Sequence, residues 1–185
     1  RVDFAGYDIQ RSTFRNVNLS GSDFCNADLL GTRFDNCSLR GAMFAGARLG
    51  GAFSGCDLRE SDFSSAGKGG TVQFNSCNLN GSLFYEAEIV GRFENCTATN
   101  IEFFGDLQGI YFANCKLADA RFSDSNLSSS TFTFSDLTNA NFDGCNLESA
   151  TVSFCDLTKT RFVQTFGFQP HRSCAAIYSA IVEHD

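Results

Sequence analysis

The chain has no tryptophan, one proline, one methionine and two histidines among its 185 residues. So little proline argues against a loop-rich disordered chain, since such segments are enriched in it. Both histidines, His171 and His184, lie close to the C-terminus. The rest of the chain therefore has no imidazole for proton transfer or metal ligation. No apolar run approaches the roughly 18 residues that a membrane-spanning helix needs. The first residues also lack the basic-then-apolar pattern of a secretory signal. A Ser/His/Asp or Cys/His constellation, spaced CxxC pairs and a phosphate-cradling glycine loop are all missing. These absences exclude the common catalytic designs, and no catalytic residue, cofactor or metal is expected. Cations are outnumbered, 14 Lys and Arg against 21 Asp and Glu, for a net charge of −7. Such a surface disfavours direct nucleic-acid contact and favours basic partners. The first residue is Arg1 rather than Met, which suggests a chain trimmed or cut from something longer.

Phenylalanine, by contrast, is abundant, with 21 copies. A large apolar residue returns at every fifth position: Phe4, Ile9, Phe14, Leu19, Phe24, Leu29, Phe34, Leu39, Phe44 and Leu49. After one-residue deletions the series continues at Phe53, Leu58 and Phe63. Beyond an insertion it resumes at Phe74, Leu79, Phe84, Ile89 and Phe93, and it runs unbroken from Phe112 to Phe162. Two positions before each large residue sits a small one, such as Ala27, Thr32, Cys37, Ala42 or Ser61, often with Asp or Asn between them. Neither a 3.6-residue helix nor a two-residue strand alternation sustains this period.

The pattern resembles the pentapeptide-repeat family, whose consensus is A(D/N)LXX, over roughly residues 2 to 163. The resemblance implies an all-β fold: a right-handed, quadrilateral parallel β-helix of about eight coils. Each side takes five residues, with the large residue and the small one before it pointing inward. The phase of the phenylalanines agrees with four sides. Sixteen of the 21 fall on two opposite sides, and leucine or isoleucine fills most of the other two. Phe24, Phe44, Phe63, Phe84, Phe34, Phe53, Phe74, Leu29, Leu39 and Leu58 are the expected core. The domain reading is a β-helix over residues 1–163 and a C-terminal cap over 164–185. Within the cap, Ser173–Glu183 is expected to form a short helix with Cys174, Ile177, Tyr178 and Ile181 on one face.

Six cysteines (Cys37, Cys56, Cys77, Cys96, Cys115 and Cys155) share the small inward position of one side, Cys145 points inward on another, and Cys174 lies in the tail. Parallel side chains one strand spacing apart suit neither a disulfide nor tetrahedral zinc, so the thiols are read as packing. Free buried thiols point to a reducing cytoplasm.

Departures from the repeat supply candidate contacts. Ser64–Gln73 holds three glycines, places Lys68 in a core slot and reads as a protruding loop. The deletions before Phe53, Phe93 and Leu107 read as bulges. Phe134 and Phe154 break the polar rule for outward positions, and would stack one turn apart under the tail or form a contact patch. At the same corner of earlier turns, Asn16, Asn36, Asn95 and Asn114 suggest an amide ladder. Among the acids, Asp8, Asp28, Glu88 and Asp106 are candidates for electrostatic contact, although the consensus places acids there anyway.

Three functional readings follow. The first is a non-enzymatic scaffold that binds a protein through the faces of a rod, monomeric or dimeric through the C-terminal element around Tyr178. The second comes from the family resemblance, since some members imitate duplex DNA and bind topoisomerases such as gyrase, conferring quinolone resistance. The third is one module of a larger bacterial effector. None involves a membrane or direct nucleic-acid binding.

Overall fold

The computed structural model describes residues 1–169, 173–174 and 181–183, with the backbone alone for Lys68 and 181–183. Thirteen strands occur in chain order: β1 (Thr13–Arg15), β2 (Asp28–Asp35), β3 (Arg48–Ser54), β4 (Gly67–Lys68), β5 (Val72–Asn75), β6 (Leu83–Glu88), β7 (Gly91–Glu94), β8 (Glu102–Asp106), β9 (Tyr111–Ala113), β10 (Thr131–Thr133), β11 (Thr151–Ser153), β12 (Arg161–Val163) and β13 (Ile181–Glu183). Among the described residues there is no helix. Every pairing is parallel, and the chain forms a β-solenoid of about seven turns. The longest ladder, β1-β2-β3-β5-β7-β9-β10-β11, aligns Phe14, Phe34, Phe53, Phe74, Phe93, Phe112, Phe132 and Val152. Isolated bridges continue the stacking elsewhere, as in Asn18↔Ser38↔Asp57↔Asn78 and Asp3↔Asp23↔Met43↔Asp62.

The five-residue step has a local cause. At many corners the N–H three positions after a core residue donates back to its carbonyl, as Ser22 does to Leu19 at 3.0 Å and Ala27 to Phe24 at 3.1 Å, whereas the corners after Phe14, Phe34 and Phe53 bend without that bond. The second residue after the core position takes a positive φ, 58° at Asn26 and 52° at Asn36, the conformation a type II turn requires at that point. The consensus Asp or Asn supports the bend from its side chain. Asp23 Oδ1 accepts the Cys25 N–H at 2.9 Å, and Asp62 Oδ1 accepts that of Ser64 at 2.8 Å. Asp and Asn are suited to this because their short side chains reach their own backbone two residues on.

Large residues at these steps point inward, such as Phe24, Leu29, Phe34 and Leu39, all at most 2% exposed. Phe44, Phe53, Phe63, Phe74, Phe84 and Leu58 are equally buried. One column of rings runs from Phe4 to Phe162 with stacked neighbours, 4.6 Å apart at Phe44–Phe63 and 5.2 Å at Phe103–Phe122. The second column, Phe14 to Phe132, meets the first edge-on; Phe24 and Phe34 are 5.7 Å apart at 88°. Offset stacks and edge-to-face pairs are the arrangements that ring quadrupoles favour.

Irregularities in the repeat are absorbed in the wall. Ladder registers shift between Leu30 and Arg33 opposite the deletion before Phe53, and between Tyr85 and Ala87 opposite the deletion before Leu107. The expectation of a protruding loop over Ser64–Gln73 needs correction. Ala66 is fully buried, and Gly67 and Lys68 pair with Arg48 and Leu49 as strand β4. Leaving the wall there would orphan the backbone groups of neighbouring turns, and glycines let the strand pass close to its neighbours instead.

The helix expected over Ser173–Glu183 is also corrected in its described part. Ile181–Glu183 form β13, parallel to β12 in the register Phe162↔Val182. The last rung presents unpaired N–H and C=O groups, which a strand satisfies directly and a helical lid does not. Residues 175–180, with Ile177 and Tyr178, lie outside the described residues. Cys174 belongs to the solenoid pattern, for its Sγ donates to the Val152 carbonyl at 3.4 Å as Cys115 donates to Phe93 at 3.3 Å. It extends the cysteine column beyond Cys155.

Candidate interaction surface

With the core columns filled, chemistry is left to the outward positions. The second core position of each turn, the one carrying Leu29, Leu49 and Ile89, has a neighbouring outward column in which Asp8, Asp28, Arg48, Gly67, Glu88, Asp106, Asn126 and Asn146 follow one another through paired rungs. All four acids singled out from the sequence therefore share one line, but it is not a continuous acidic stripe. Arg48 pairs with Asp28 at 2.9 Å, Asn126 donates to Asp106 at 2.9 Å, and Gly67 interrupts the column. Asp8, Asp28 and Asp106 also hold their own turns, accepting the N–H groups of Gln10, Leu30 and Gln108. Elsewhere the arginines neutralise acids within a rung or one rung away: Arg15–Asp35 at 3.1 Å, Arg40–Glu60 at 2.8 Å, Arg59–Asp57 at 2.6 Å, Arg92–Glu94 at 2.7 Å and Arg161–Asp143 at 2.8 Å. The hydrogen bonds from the Arg59 guanidinium hold the Asp57 carboxyl below its ordinary range. Exposed pairs of this kind contribute little to stability. Their larger effect is on the field, which they flatten.

Two pairs of aromatic rings stand outside the core. Phe134 and Phe154 stack at 4.7 Å and 6°, as their spacing predicts, and their side chains remain 59% and 54% exposed. Ser173 reaches this corner, its Oγ accepting the Phe154 N–H at 3.0 Å. Both phenylalanines sit at positive φ, 51° and 55°, in the corner position that Asn16, Asn36, Asn95 and Asn114 occupy in earlier turns. The asparagines are thereby explained by backbone conformation. Among the described residues their amides do not bond to one another, so the amide-ladder expectation is replaced by left-handed tolerance. A bulky residue in that region is an outlier. Phe134→Asn is therefore expected to leave the melting temperature unchanged or raise it, despite the loss of a ring stack; a fall of several degrees would show that the ring serves the fold.

Sequence reasoning missed the second pair. Tyr85 and Phe104 follow the core residues Phe84 and Phe103, pair in register across β6 and β8, and stack at 5.0 Å and 15°. They are 55% and 38% exposed, and Leu83 beside them is 41% exposed. An open groove of about 400 Å3 runs along them, lined also by Leu83, Glu102, Arg121 and Ser123. The signal was present, since an aromatic stands where Cys25, Ala45 and Ser64 are found in other turns. It was hidden because both residues adjoin a core phenylalanine and read as part of one apolar run.

The cysteine column offers no reactive site. All nine cysteines are free, and all but Cys25 are buried. Burial pushes the Cys145 thiol up to about 12 and the Cys155 thiol up to about 11. Hydrogen bonding to the neighbouring thiol, together with burial, holds Cys77 and Cys115 above the ordinary range. Because the thiolate is the nucleophile, these four groups stay protonated and inert at neutral pH. Hydrogen bonds from neighbouring thiols push Cys56 and Cys96 the other way, Cys96 down to about 4, and it is their burial that keeps reagents from them. An aromatic disulfide reagent at pH 8 is expected to modify at most Cys25 in the native protein and all nine sites after unfolding. Rapid native labelling of several sites would contradict this packing. Among the described residues, no group of His, Cys, Asp or Glu is arranged to hold a metal.

A stacked parallel solenoid with a saturated core and chemically varied outer columns is a repeat protein. The pentapeptide-repeat model, in eight copies, matches residues 18–53, 106–144 and 125–164, just over half of the sequence, and the chain belongs to that family. Its fold is similar to that of HetL, a pentapeptide repeat protein involved in heterocyst differentiation regulation in the cyanobacterium Nostoc sp. strain PCC 7120. The two are 16% identical with a TM-score of 0.64, over 97% of this chain and 88% of HetL. QnrB1, a plasmid-mediated fluoroquinolone resistance protein, aligns at 22% identity and a TM-score of 0.49 over 92% of each chain. No curated protein matches the sequence. Among the described residues, no helix is long and apolar enough to cross a membrane.

Proposed function

We propose that this chain is a non-catalytic scaffold that binds a protein partner through the outer faces of a right-handed, four-sided rod. Residues 1–163 form the rod in this reading, and 164–185 form a terminal element that closes its last turn. The observation that carries the proposal is the pair of outward aromatic stacks. Tyr85–Phe104 and Phe134–Phe154 add nothing to the core, stand at positions the repeat makes polar, and in the second pair occupy a backbone region unfavourable to phenylalanine. Exposed apolar groups held at such a cost are characteristic of contact surfaces. The free, buried thiols support a reducing compartment such as the cytoplasm.

Duplex mimicry is less well supported. It needs an uncompensated acidic line, whereas arginines face the acids along several columns of this surface. Photo-crosslinking from a benzophenone residue at position 85 or 134, in extract of the source cells, tests the scaffold reading. Discrete crosslinked species are expected, and a chain that crosslinks to nothing from any outward face would overturn it. Inhibition of gyrase supercoiling by the purified chain would restore the mimicry reading.

A further inference from the structure

We propose that the groove beside the Tyr85–Phe104 stack docks a basic segment of a partner protein that is anchored by a large apolar side chain. The inference rests on the scaffold reading and gives it a site and a ligand chemistry.

The patch is built, not incidental. On this face most rungs are single bridges; among the described residues, strands lie side by side only at β6–β8 and, at the C-terminal end, at the shorter β12–β13 pair. The departures from five-residue spacing cluster around β6 and β8: the insertion that holds β4, the deletion before Phe93, and the deletion before Leu107 with its register shift at Tyr85/Ala87. Leu83, Tyr85 and Phe104 all point outward from this one segment. In the same column one turn to either side stand Ser64 and Ser123, aligned through the bridges Asp62↔Leu83 and Glu102↔Arg121. Two small residues thus flank a two-ring stack and leave room over the outer ring faces. A planar or aliphatic group fits there, and an arginine guanidinium is favoured over a ring face.

Charge selects the occupant. The nearby cations are already engaged, Arg121 with Glu102 at 2.5 Å and Arg161 with Asp143 at 2.8 Å. Asp62 lies one rung from Leu83, Glu86 follows Tyr85 and Asp124 follows Ser123, and none of the three is in a salt bridge among the described residues. An apolar floor with an acidic border suits a cationic ligand with an apolar anchor. A second copy of this chain is disfavoured, because each would bring a net charge of −7 to the contact.

Fluorescence anisotropy on the full chain tests the site with three short peptides. One alternates arginine with leucine and phenylalanine, the second replaces the apolar residues by serine, and the third replaces the arginines by glutamate. The first is expected to bind at least about tenfold more tightly than either control, and the double variant Tyr85→Ser, Phe104→Ser to weaken it at least about tenfold. Both side chains are outside the core, so the variant should keep its circular dichroism and melting temperature. Tyr7→Ser serves as a matched loss of an exposed ring elsewhere and should leave binding intact. Equal binding by the double variant, equal binding of the serine peptide, or no binding of the first peptide would each overturn the proposal. If a partner caught by crosslinking is held equally well by the double variant, this site fails while the scaffold reading stands.

Discussion

Phe74→Ala is expected to destabilise the solenoid by about 3–5 kcal/mol, near the top of the range for single core truncations. The ring is fully buried and touches four others: it stacks on Phe53 at 4.9 Å and on Phe93 at 4.6 Å, and meets Phe63 and Phe84 edge-on. The void left behind has little means of closing. Neighbouring rings are fixed at the strand spacing, and each rung is tied to the next by backbone hydrogen bonds, so relaxation around the missing ring is small. Phe4→Ala, where the side chain is only partly buried at the end of its column, should cost much less. Because stability in a repeat array is a sum of nearest-neighbour terms, the loss should be read by hydrogen exchange as well as by denaturant. Exchange is expected to quicken first in the turns on either side of Phe74. A uniform change along the rod, or a cost below about 1 kcal/mol, would mean that the rings do not act as a layered core.

Gly67→Ala is expected to cost about 2–5 kcal/mol, for two separate backbone reasons. Its φ of 141° lies in a region that side chains rarely adopt, and an added Cβ would press into the Glu88 carbonyl of the next turn. Backbone cannot swing aside as a flexible side chain can, and Gly67 pairs with Arg48 on one side and Glu88 on the other. Thermal denaturation of the variant, compared with Gly6→Ala, separates the two effects. Gly6 also has a positive φ, 71°, but an added Cβ there meets nothing within 4 Å. Equal losses at the two sites would mean that conformation alone matters and that the insertion is not held tightly in the wall.

The repeat was legible in the sequence because its physics is local. A turn every five residues needs a residue tolerant of positive φ and an Asp or Asn to brace the bend, and both recur at fixed offsets from each core residue. Burial then follows from phase alone, which is why Phe24, Leu29, Phe34 and Leu39 could be assigned inward before any coordinates. The same regularity concealed the surface, since an acid at the consensus position, such as Asp8 or Asp106, is required by its turn whether or not it meets a partner.

What the linear order alone determined is the step length, the inward set and the family. Only the tertiary structure decided the rest. It put Gly67 and Lys68 in the wall rather than in a loop, turned Ile181–Glu183 into a strand, and set Tyr85 against Phe104. Each of these depends on which residues lie one turn away, a distance of 18 to 21 positions set by the sum of insertions and deletions in between. Unpaired backbone at a rung edge and open faces on a ring exist only once the turns are stacked, so no local pattern could announce them.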